Sequence, residues 1–116
     1  MGASQRNKGA RGEREACVVL ERMTGEPWQR SCIQSRRGGS EAPDVAPVNA
    51  ASPRARLHVE VKRGARIGWN AAMRQAVRDA GDGRVPLVLA RQDRGPWELL
   101  MRVEDWDEVR GLLCCE

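Results

Sequence analysis

Val85-Pro86-Leu87-Val88-Leu89-Ala90 is an unbroken apolar run of strand length, and such a strand is stable only where both of its faces are covered. A chain that contains it needs a sheet with a helical layer on each side. The other segments supply those layers. Leu57-His58-Val59-Glu60-Val61-Lys62 alternates apolar with polar residues, the period of a strand with one buried face. Between the two strands Trp69, Ala72, Met73, Ala76, Val77 and Ala80 recur at helical spacing, which predicts a helix from Trp69 to Ala80 stopped by Gly81-Asp82-Gly83. Upstream, Ala16, Cys17, Leu20 and Met23 predict a helix from Ala10 to about Thr24, ended by Gly25, with Arg11, Glu15 and Arg22 mainly on its wet side.

The shorter signals complete the order. Trp28 to Gln34 alternates weakly, and Asp44-Val45-Ala46 reads as the start of a strand that the turn Asn49 to Arg54 joins, antiparallel, to the Glu60 strand. Trp97 to Val103 forms another strand after Gly95-Pro96, and Glu104-Asp105 opens a last helix through Trp106, Val109, Leu112 and Leu113. The expected order is α-β-β-β-α-β-β-α: an α/β fold with a mixed sheet flanked by helices and a functional site at one edge. At 116 residues this is one domain. Residues 1–8, polar and basic without a hydrophobic period, are expected to form a disordered arm.

Charge points to a partner. The net charge is +4, and the excess lies in residues 1–40, where eight basic residues face four acidic ones; eighteen of the twenty cations are arginines. The planar guanidinium binds phosphate through two parallel hydrogen bonds, so a nucleic-acid backbone is the natural partner, with plain solubility as the other explanation. No apolar run is long enough for a membrane span and the N-terminus lacks the apolar core of a signal peptide, so a cytoplasmic location is expected. Cys17, Cys32, Cys114 and Cys115 show no C-x-x-C spacing and His58 is the single histidine, which excludes the usual zinc sets and suggests four reduced thiols, with Cys17 and Cys32 buried. Four tryptophans stand without Tyr or Phe; each suits a buried anchor, a dimer contact or a stacking surface for a base.

The polar residues of the two central strands carry the chemistry. Glu60 and Lys62 lie two apart on one strand and so share a face, about 6.5–7 Å apart, where a carboxylate can hold a metal while an ammonium reaches a water in its shell. Pro43 biases Ala42 away from helix and leads into Asp44, which a neighbouring strand can bring beside Glu60. Hydrolysis of a phosphodiester builds negative charge on the phosphate, and Mg²⁺ held by a few carboxylate oxygens answers that need. Glu13 adds a third acid from the first helix, although an acid in a first helical turn is also favoured by the helix dipole alone. An E-x-K on a half-buried strand is, by itself, most often a solvated face.

The order Glu13, Pro43-Asp44, Glu60-x-Lys62 resembles the PD-(D/E)xK nuclease superfamily. Lys8-Gly9-Ala10-Arg11-Gly12-Glu13-Arg14-Glu15 is similar to the opening signature of archaeal-type Holliday junction resolvases, which also occur in phages; the resemblance covers residues 8 to about 90. It implies a restriction-endonuclease-like fold and a homodimeric, metal-dependent endonuclease acting on four-way DNA junctions. By the same resemblance Asp44 and Glu60 bind Mg²⁺, with Mn²⁺ as a substitute, Glu13 completes the acidic cluster, and Lys62 orients or activates the attacking water. It also implies that Arg14, Arg36 and Arg37 contact DNA, joined by the nearby cations Lys8, Arg11 and Arg63. The loop Arg36 to Glu41 lengthens the interval before Asp44 relative to the family, and either Ser35 or Ser40 could match a family serine. Gln75 resembles a glutamine that several families of the superfamily place near the metal, and is otherwise a helix-surface residue. Two other functions fit the same residues: a related nuclease acting on branched or nicked replication intermediates, and a basic DNA-binding module without catalysis.

Overall fold

A computed structural model describes residues 3–31 and 42–114, with side chains from Gly9 onward in the first segment. The chain runs α1 (Ala3–Thr24), β1 (Trp28–Arg30), β2 (Val45–Pro47), a 3₁₀ turn (Pro53–Arg56), β3 (Leu57–Gly64), α2 (Trp69–Ala80), β4 (Val85–Gln92), β5 (Trp97–Leu100), a 3₁₀ turn (Val103–Asp105) and α3 (Trp106–Leu113). The expected order of elements is therefore present. The strands form one mixed sheet in the order β1-β2-β3-β4-β5, in which only the central pair β3/β4 is parallel. That parallel pair needs a crossover, and α2 provides it. Among the described residues no helix is long and apolar enough to cross a membrane.

β3 and β4 are in register, with Val59 opposite Leu87 and Glu60 opposite Val88, so their odd residues share one face and their even residues the other. The odd face builds the main core: Leu57, Val59, Val85, Leu87 and Leu89 pack with Ala16, Cys17 and Leu20 of α1 and with Val109 and Leu113 of α3. Burial of Cys17, helped by the nearby carboxylates of Glu13 and Glu21, pushes its thiol up to about 11. The even face of β4 meets α2 through small side chains, Ala72 and Ala76 against Val88 and Ala90. β4 is covered from Val85 to Ala90, as its apolar run requires.

Three boundaries differ from expectation. α1 begins at Ala3 rather than Ala10, so the expected arm over residues 1–8 is helical from Ala3 on; a run such as Ala3-Ser4-Gln5-Arg6 can continue a helix without any apolar period. The strand expected from Trp28 to Gln34 is β1, Trp28–Arg30, and Cys32 to Gln34 lie outside the described residues. The last strand ends at Leu100 rather than Val103, and a 3₁₀ turn intervenes before α3.

Two features set the exit from α1. Gly25, at φ 76°, turns the chain out of the helix, and the Trp28 indole N–H donates to Thr24 Oγ1 at 2.9 Å, anchoring β1. Gly12 lets the helix lie close on β3, since a Cβ there would stand 3.0 Å from Cβ of Arg63. Of the tryptophans, Trp28 is a buried anchor and Trp106 is exposed.

The close seat of α2 makes a test. Ala76→Leu should overpack the α2/β4 seam and cost about 1–3 kcal/mol in urea unfolding, whereas Val103→Ala, at a side chain 91% exposed, should change stability by less than about 0.5 kcal/mol. Equal effects would mean that α2 is not held at this distance by small residues.

Candidate active site

Because the odd residues of β3 enter the main core, its even residues His58, Glu60 and Lys62 face α2. Lys62 Nζ donates to Gln75 Oε1 at 3.1 Å. His58 Nε2 lies 3.1 Å from Glu60 Oε1, with both side chains almost wholly buried. Asp79 of α2 closes this group: one ligand atom each from His58, Glu60 and Asp79 lies within 4.8 Å of the others, and all three residues are buried. Such a set could hold a metal ion.

Asp44 stands one residue before β2 and is bound to β3 by backbone and side chain together. Its N–H donates to Val59 O at 3.0 Å, and its Oδ2 accepts from the Val61 N–H at 2.8 Å. The carboxylate thus takes the place of a partner carbonyl where the β2/β3 ladder stops. Burial foremost, then the Glu60 carboxylate and more weakly Glu13, against the Val61 N–H and Lys62 that oppose the rise, together push the Asp44 carboxyl up to about 7. Electrostatic influence of this kind fades quickly with distance, so Glu13, Asp44, Glu60 and Lys62 share one neighbourhood.

Glu13 is not held by a helix dipole. With α1 starting at Ala3, the first turn contains no acidic residue and Glu13 sits well inside the helix. Its Oε1 accepts from Arg30 Nε at 2.8 Å. The expected trio Asp44, Glu60 and Glu13 is more exposed than the group around His58, since Asp44 and Glu13 are half-buried; Glu60 turns one oxygen to the imidazole and Glu13 one to Arg30. Glu15, expected on the wet side, instead accepts from Arg63 at 3.2 Å and from Arg91 at 3.1 Å. Arg63, expected on DNA, is engaged by Glu15 and, at 3.5 Å, by Asp93, with its side chain 13% exposed; little of it is left for a phosphate. Arg11 and Arg14 are exposed on α1. The side chain of Lys8 is outside the described residues, as are Arg36, Arg37, Ser35 and Ser40. Next to Lys62 a cavity of about 290 Å³ is lined by Arg63, Arg66, Gly68 and Gln75 among others, a cationic recess at the start of α2.

No family model, curated protein or solved structure matches this chain. Its chemistry has to be read from the donors themselves. A half-buried carboxyl such as Asp44, whose proton affinity burial and a neighbouring acid raise, favours a divalent cation in place of the proton. Asp44 and Glu60 each keep one oxygen apart from the protein contact named above, so the donor set fits such an ion. Sequence reasoning missed Arg30 and Asp79, set His58 aside as a lone histidine, and favoured a surface role for Gln75. The period of β3 held the signal for His58, which must share a face with Glu60 and Lys62; Gln75 and Asp79 are one helical turn apart and so share a face of α2.

Asp44 makes the site's charge measurable. A carboxyl raised from its unfolded value near 4 holds a proton in the folded state that the unfolded chain releases, so its stabilising contribution is complete below about pH 4 and is lost as pH rises through about 7. Asp44→Asn can keep the Val61 hydrogen bond without the charge. In EDTA it should stabilise the protein by about 1–3 kcal/mol at pH 8 and by almost nothing at pH 4, read from urea unfolding. A gain independent of pH would show that Asp44 is not crowded by the other acids.

Proposed function

We propose that this chain is a Mg²⁺-dependent endonuclease of branched DNA, that four-way junctions are its substrate, and that it acts as a homodimer. The observation that carries this reading is the Asp44 carboxyl, tied to β3 at Val61 and within electrostatic reach of Glu60, Glu13 and Lys62, in the chain order of the PD-(D/E)xK nucleases the sequence resembles. A mixed five-stranded sheet with helices on both faces is compatible with a restriction-endonuclease-like fold. The exposed Arg11 and Arg14 and the recess beside Lys62 support a phosphate backbone as ligand.

Asp44 and Glu60 would hold the ion through the oxygens not engaged by Val61 and His58, with Glu13 completing the acidic cluster; Mn²⁺ should substitute. When bound, Mg²⁺ supplies positive charge against the charge that builds on the phosphate and lowers the pKa of a coordinated water. Lys62 donates a hydrogen bond that orients the attacking water, and Gln75 limits where that ammonium can point. Arg66 at the rim of the recess neutralises an adjacent phosphate. A junction has to be cut twice, and two copies related by a two-fold axis match its near-symmetric arms.

Cleavage of a four-way junction, a linear duplex and a splayed arm, each with Mg²⁺ and with EDTA, tests the reading. The junction should be cut fastest and only with metal. Asp44→Asn and Glu60→Gln should still bind junctions without cutting them, and Lys62→Ala should slow cutting about 10²–10⁴-fold. Equal rates on all three substrates would remove the junction assignment, and a splayed arm cut faster than the junction would leave a nuclease of branched replication intermediates; binding without any metal-dependent cutting by the wild type would leave a DNA-binding module.

A further inference from the structure

The group formed by His58, Glu60 and Asp79 differs in kind from the acids around Asp44. It is buried on all sides, with His58 at 0%, Glu60 at 3% and Asp79 at 6% exposure, and it contains an imidazole. Two carboxylates buried beside each other call for positive charge, and the His58 imidazole, which touches Glu60, and a distant arginine are the protein groups paired with them. Asp79 has an ion pair with Arg78 at 3.8 Å, a long contact to a side chain 70% exposed. His58 approaches Glu60 through Nε2, yet its Nδ1 is buried without a hydrogen-bond partner. A buried polar nitrogen left unpaired is costly, and a wholly buried histidine with two carboxylates gathered within 4.8 Å is a donor set that can hold a metal ion.

Asp79 lines the wall of a groove of about 930 Å³ that runs between β2 and the end of α2, beside Ala46, Pro47, Ala80 and Arg84. Asp79 is the member of the cluster that borders this groove, and the recess at Lys62 shares none of the groove's lining residues.

We infer that His58, Glu60 and Asp79 form a second divalent-cation site, suited to an ion of the Mn²⁺, Co²⁺ or Zn²⁺ class rather than to Mg²⁺. One nitrogen and two carboxylates suit ions that accept imidazole, whereas Mg²⁺ prefers oxygen ligands and keeps its waters. Glu60 is the shared residue, so an ion here draws on the same carboxylate as the site at Asp44. The inference goes beyond the nuclease reading and does not depend on it.

The test is a Co²⁺ titration of the full chain in excess Mg²⁺, followed by visible absorption, with circular dichroism to verify folding of every variant. Wild type should bind one Co²⁺, and Asp44→Asn, which removes the competing claim of Mg²⁺ on Glu60, should bind it at least as tightly. Asp79→Asn, which keeps shape and sits at the groove, should bind at least about 10-fold more weakly, since even outer-shell changes at metal sites cost that much; His58→Gln should do the same and alter the absorption bands. A wild type that binds Co²⁺ in this way but cuts no DNA supports this site while removing the nuclease reading. No Co²⁺ binding in the presence of Mg²⁺ would overturn the inference and leave an imidazole–carboxylate pair only, and so would binding that depends on Asp44 but not on Asp79 or His58.

Discussion

The hold of β3 on Asp44 is the constraint on which the rest of this structure depends. A strand end is an inexpensive place to leave a carboxylate, because solvent can reach it. Here the backbone N–H of Asp44 and its Oδ2 are both tied to β3, at Val59 and Val61. This ends the β2/β3 ladder and fixes a charge in the gap beside Glu60. Burial and the neighbouring acids then work against that charge, and the fold tolerates the conflict because the interaction network around it is dense: Arg30 neutralises Glu13, and Lys62 sits on the same strand as Glu60. Buried charge left in conflict is costly to stability, and sites of this kind are concentrated where a protein performs chemistry.

The two faces of β3 divide the labour. Its odd residues fill an apolar core under α1 and α3, and its even residues His58, Glu60 and Lys62 present polar groups to α2. The seam between α2 and β4 consists of Ala72, Ala76, Val88 and Ala90. Small residues there let the helix sit close enough for Gln75 to reach Lys62 and for Asp79 to reach His58 and Glu60. The same period that makes the strand foldable therefore builds the site, and no separate loop has to be ordered to complete this part of it.

Most of the architecture was legible from periodicity. The apolar run from Val85 to Ala90 demanded a doubly covered strand, the spacing from Trp69 to Ala80 defined α2 at both ends, and Asp44, Glu60 and Lys62 were identifiable from their order. What escaped had a physical reason in each case. The first turns of α1 carry no apolar stripe, so nothing in the pattern marked them as helix. Arg30 and Glu13 are seventeen residues apart, and a salt bridge across two elements leaves no local signature. Asp79 reads as a polar residue near a helix end until the packing of α2 on β3 makes it a neighbour of His58. Glu15 read as a solvent-facing charge and Arg63 as a DNA contact, and their pairing follows from the close approach of α1 to β3 that Gly12 permits.

The central claim is that a divalent cation replaces a proton at Asp44. Carbon-detected NMR of the Asp44 carboxyl across pH, with and without saturating Mg²⁺, tests it most directly. Without metal the carboxyl should titrate near the value of about 7 that its surroundings impose, and with Mg²⁺ that step should vanish toward low pH as the ion holds the carboxylate in its charged form. An Asp44 that titrates identically in both conditions would contradict the claim, because no cation would then be bound by the group that defines the site.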